Sequence, residues 1–134
     1  MLNPGTYDLA TLAITTALTN SVQTAIVDLD GMSAANIVAE LLGASGGTSI
    51  SALVQTTFDG GTTWLDIARF DFTTVAGKKY CNLQTIAAKA VTAYAALAAE
   101  GINDGLLGKQ LRAAVSSVGG PYVNTTLNIR ASVH

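Results

Sequence analysis

The chain has 134 residues, 49% of them hydrophobic but only 12% charged and 6% aromatic, which reads as one globular domain spanning 1–134, long enough to bury a core without staples. A formal net charge of -2 gives no electrostatic footprint for nucleic acid. One histidine and one cysteine leave too little for a metal site, a catalytic triad or a disulfide framework, so the expectation is a non-enzyme without cofactors whose charge deficit marks surface covered by partners.

Met1-Leu2-Asn3-Pro4-Gly5 has no basic region leading into an apolar run, so no secretory signal is expected. The uncharged stretch 9–27 carries too many Thr, Asn, Ser and Gln side chains for a spanning helix. A soluble product made in the cytoplasm, with no membrane partner, is the expectation. Residues 1–20 read as an extended arm that orders on a neighbour, which makes Pro4, Gly5, Thr6 and Tyr7 candidate contact residues.

Residues 24–30 alternate Ala25, Val27 and Leu29 with polar neighbours and stop at Gly31, the pattern of a strand. Residues 36–42 are apolar on both faces apart from Glu40 and stop at Gly43, as in a strand covered on both sides. The clearest pair is 49–58 and 63–72, joined by Asp59-Gly60-Gly61-Thr62, where two glycines supply positive φ for a hairpin. Lys78 and Lys79 follow Gly77 and read as a solvated turn or as a contact for an acidic partner surface. In 86–100, Ile86, Ala90, Val91, Tyr94, Leu97 and Ala98 lie on one stripe of an alanine-rich helix, while the alternation around Val91 fits a strand equally well. Residues 110–118 and 122–133 close the chain as strands, the last with Val123, Thr125, Leu127, Ile129, Ala131 and Val133 on one face. Seven or eight strands about ten residues apart predict a mostly β protein: a two-sheet antiparallel β-sandwich, jelly-roll-like or immunoglobulin-like in outline, with 86–100 left open between an alanine-rich helix and a further strand.

Thr57, Asp59, Gly61, Thr63 and Trp64 satisfy every specified position of the Asp-box pattern, Ser/Thr-x-Asp-x-Gly-x-Thr/Ser-Trp. In proteins that carry it, sialidases among them, this is a hairpin whose carboxylate accepts hydrogen bonds from turn amides above a packed tryptophan. A self-capped hairpin is therefore expected, with a sugar site stacked on Trp64 as its functional rival. Asp28 and Asp30 lack further oxygen ligands nearby in sequence and read as an exposed strand end rather than a cation site. Asp66 and Asp71 fall on opposite faces of an ideal strand, so a paired acid and base would need a bulge, and pairing with Arg69, Arg112 or Arg130 is the expectation. Cys81 has no histidine near it in sequence and reads as a small core residue.

The stretches 55–72, 103–112 and 124–130, which hold the Asp-box hairpin, Asn103-Asp-Gly-Leu-Leu-Gly108 and the closing Asn124-Thr-Thr-Leu-Asn-Ile-Arg130, resemble small virion proteins of tailed bacteriophages. The resemblance is confined to the C-terminal part of the chain. It implies a β-sandwich that acts as a cement or decoration protein on the capsid exterior. The major capsid protein and a second copy of the chain, as a dimer or trimer, would be its partners, and no catalytic residues carry over. A tail or head-completion protein is the alternative within the same class, and a carbohydrate-binding module the alternative outside it.

Overall fold

A computed structural model describes residues 2–43 and 45–134, and among them it contains eight strands and no helix. These are β1 (Gly5–Ile14), β2 (Leu18–Val22), β3 (Ala34–Leu42), β4 (Ser49–Thr57), β5 (Leu65–Phe72), β6 (Gly77–Gln84), β7 (Gln110–Val118) and β8 (Thr125–Val133). They form two four-stranded sheets, in the orders β1-β8-β3-β6 and β2-β7-β4-β5, with every pairing antiparallel. The pairs nest: β1 with β8, β2 with β7, β3 with β6, and β4 with β5. One long antiparallel ribbon closed by the β4–β5 hairpin and folded over on itself gives this order. The ABED and GFC sheets of an immunoglobulin sandwich do not.

Period-two alternation decides which side of each strand is buried. Leu127, Ile129, Ala131 and Val133 of β8 meet Ala35, Ile37, Ala39 and Leu41 of β3 on the inner face of the first sheet. Ile50, Ala52 and Val54 of β4 with Leu111, Ala113 and Val115 of β7 form the inner face of the second. Alanines interleave with Leu and Ile along both faces, so the layers interdigitate without large aromatics, in keeping with the aromatic-poor composition. Buried Thr56 keeps its hydroxyl satisfied by donating to the Gln110 carbonyl at 2.9 Å and accepting from the Gly108 amide at 2.8 Å. A Cβ on Gly108 would collide with the Thr57 carbonyl oxygen, so only glycine lets this crossing close.

Three expectations are corrected. The expected arm at 1–20 is not free over its described residues, 2–20: β1 lies along β8 as an edge strand and β2 along β7, with the turn between them held by Ser117, whose Oγ donates to the Thr16 carbonyl and accepts from the Leu18 amide. Residues 24–30 are not a strand, because Ile26 makes an isolated bridge with Leu111 and Asp28 turns the chain at a φ of 62°. Residues 86–100 form neither helix nor strand. The second-sheet flank captures the polar groups a helix would use: the Leu97 amide donates to Asp66 Oδ2, the Leu97 carbonyl accepts from Arg69, and the Ala95 carbonyl accepts from Asn103. Residues 101–103 then run beside β5, with Arg69 donating to the Gly101 carbonyl and Asn103 to the Ile67 carbonyl through their amides, which covers that sheet edge.

Candidate docking surface

The Asp-box residues do fold into a self-capped hairpin. Asp59 Oδ1 accepts from the Thr63 amide and the Thr57 hydroxyl, both at 2.8 Å, and Thr57 Oγ1 accepts from the Gly61 amide at 3.0 Å. Gly60 and Gly61 take φ values of 73° and 102°, the left-handed region that lets the loop close in so few residues. Hydrogen bonding to the ionised form, the Thr63 amide foremost, holds the Asp59 carboxyl below its ordinary value although the tip is open to solvent. Trp64 donates from Nε1 to the Gly61 carbonyl at 3.0 Å, and the Arg112 guanidinium lies over its ring at 4.2 Å from the centroid.

Arg112 continues the chain of contacts along the outer face of the second sheet. Its Nε donates to Gln55 Oε1 at 2.9 Å, and Gln55 Nε2 donates to Asp66 Oδ1 at 2.9 Å. Asp66 reaches this face because the β4–β5 register slips by one residue, between Val54–Ala68 and Gln55–Asp66. That bulge puts Asp66, Arg69 and Asp71 on one face, yet it makes no acid–base couple: Asp71 Oδ1 accepts from Arg69 Nε at 3.1 Å, while Asp66 takes Gln55 and the Leu97 amide. These side chains fasten the 86–100 segment.

The candidate contact residues separate. Thr6 of β1 and Lys78 of β6 come together across the outer face of the first sheet, where they line a shallow hollow of about 300 Å³ with Val38, Glu40, Asn128 and Arg130. Pro4 lies just ahead of β1, whose first residue is Gly5. Tyr7 packs against the core and donates its hydroxyl to the Asn3 carbonyl. Lys79 leans away from this face, over the Phe72 ring and onto Glu100. Both lysines are on a strand, not in a turn.

On this face the charges cancel in pairs across neighbouring strands. Arg130 donates to Asp8 at 3.0 Å, and Lys78 sits 3.2 Å from Glu40. Among them Val38, Leu42 and Tyr80 stand exposed, Tyr80 at 79% of its free surface. Asn128 Oδ1 is buried and has no donor among the described residues. Sequence reasoning missed this surface because β1 and β6 went unrecognised, and strand neighbours far apart in sequence carry no local signal.

A larger hollow, of about 590 Å³, lies beside the β5–β6 turn; its charged side chains pair as Arg69 with Asp71 Oδ1, Lys79 with Glu100 and Lys78 with Glu40, while Asp71 Oδ2 is buried with no donor among the described residues. Burial pushes the Cys81 thiol up to about 11, which keeps it protonated and unreactive near neutrality. Among the described residues no group of three or more His, Cys, Asp or Glu side chains converges, and no helix is long and apolar enough to cross a membrane.

Comparison with protein-family models, with curated proteins and with solved structures finds no match to this chain.

Proposed function

We propose that this protein is a structural virion component that binds the outside of a tailed-phage capsid and ties neighbouring shell subunits together. The observation that carries the reading is the outer face of the first sheet. It is a rigid four-stranded surface with its charges cancelled in pairs and with Val38, Leu42 and Tyr80 uncovered. Such a face suits docking on a fixed lattice through shape, hydrogen bonds and apolar contact, where many weak sites act together. The nested strand order supports classing the sandwich as a jelly roll, an architecture found in capsid and lectin domains alike.

A catalytic role has little support, because Asp66, Gln55, Arg112 and Asp59 are all spent on structural hydrogen bonds. The sugar reading is weakened at Trp64, whose ring already carries the Arg112 guanidinium. The test mixes purified protein with shells assembled without it and, separately, with free capsid subunits. Binding to shells that falls at least about tenfold in Val38→Asp or Tyr80→Ala, with the unfolding midpoint unchanged, is the expected result. Binding to tails instead of shells would favour the tail or head-completion alternative, and glycan binding abolished by Trp64→Ala would favour the carbohydrate one.

A further inference from the structure

The connection between β6 and β7 contains a strap whose main chain pairs with no strand among the described residues. It is pinned at its start, where Gln84 donates through its amide to Asp104 Oδ1 and Thr85 to the Ser33 carbonyl. It is pinned again where the Tyr94 hydroxyl accepts from the Asp66 amide and Leu97 meets Asp66 and Arg69. Between these anchors Ile86 is 73% exposed, and Val91, at 107%, is as open as in an extended peptide. No main-chain group of 86–97 makes a hydrogen bond with another main-chain group among the described residues. The Ala90 carbonyl accepts from the Thr92 hydroxyl and the Ala95 carbonyl from Asn103, but the other main-chain groups of 86–96 have no partner among the described residues, and such a run flanked by small apolar side chains suits another extended polypeptide.

We propose that residues 87–95 pair antiparallel with the same residues of a second copy, about a two-fold axis through Val91. The segment is self-complementary in that register. Val91 faces Val91, Tyr94 falls opposite Ala88, and Lys89, the one charge in 86–99, falls opposite Ala93 rather than its own copy. Like charges therefore never sit directly opposite, which is the electrostatic condition a symmetric strand pair must meet. A two-stranded ribbon of this size supports a weak dimer, in the micromolar range. The pairing stands independently of the virion reading.

The experiment is sedimentation of the full chain across a concentration series, joined to mild oxidation of Val91→Cys. The expected result is a monomer–dimer equilibrium with rapid symmetric cross-linking at position 91, while Phe58→Cys at the hairpin tip cross-links no dimer. Cys81 adds no background, being part-buried. Val91→Asp, at a side chain fully open to solvent, is expected to weaken the dimer at least about tenfold with the unfolding midpoint unchanged. A monomeric wild type at tens of micromolar, or a Val91→Asp dimer as tight as wild type, overturns the proposal. So does a monomer whose 86–97 amides become protected from exchange only when shells are added, which would assign the strap to a shell subunit.

Discussion

At Asp59 a short-range pattern specifies its own geometry, and its consequences are electrostatic. The folded-state pKa lies below the ordinary 3.8, so the carboxylate contributes stability above that value and loses it as the pH falls through the folded-state value. Asp59→Asn is therefore expected to lower the unfolding midpoint at neutral pH, with the gap from wild type closing below about pH 4 in thermal melts. Asparagine keeps Oδ1 as an acceptor for the Thr63 amide and the Thr57 hydroxyl, so the change removes only the charge, and at an exposed hairpin tip that loss is small. Cys81 gives a second prediction at this scale: a thiol pushed up to about 11 should react with an aromatic disulfide reagent far more slowly in native protein than after unfolding. Equal rates would place it in the wrong environment.

Among the elements, β4 and β5 were legible because a glycine turn and two alternating runs sit next to each other in sequence. β8 showed the same alternation, whereas β3 read as apolar on both faces and so as doubly covered, although its Val38 and Leu42 face outward and stand exposed. β1 was not legible, because a bulge between Asp8 and Ala10 turns Leu9 and Ala10 both inward and breaks the period. β6 offers only Leu83 as a fully buried apolar side chain, and its two lysines read as a turn. The strap at 86–100 misled through propensity: alanine favours a helix, but Asp66, Arg69 and Asn103 bind its main chain in an extended form, a tertiary choice no local window reveals. Asp66→Ala is accordingly expected to cost about 1–3 kcal/mol, since the Leu97 amide and the Gln55 amide group lose their acceptor. Faster proteolysis within 86–98 in that variant, with the sheets intact by circular dichroism, would tie the loss to the strap; unchanged cleavage would show that other contacts hold it.

For the whole molecule, the low charge content noted at the outset finds a structural counterpart. Ion pairs such as Asp8–Arg130 and Glu40–Lys78 neutralise one sheet face, and the strap leaves apolar side chains and main chain uncovered. The docking face was legible only as scattered residues, Thr6 and Lys78, because a folded-over ribbon brings β1 and β6 into one sheet from opposite ends of the order. A face for the shell and a strap for a second copy would together let one dimer touch two lattice sites, which is what bridging requires. The most direct measurement is the temperature at which DNA-filled particles rupture, with and without this protein. The account predicts that particles lacking it rupture at lower temperature, and that adding back wild-type protein, but not Val38→Asp, restores the difference. Particles equally robust without it would contradict the proposed cementing role.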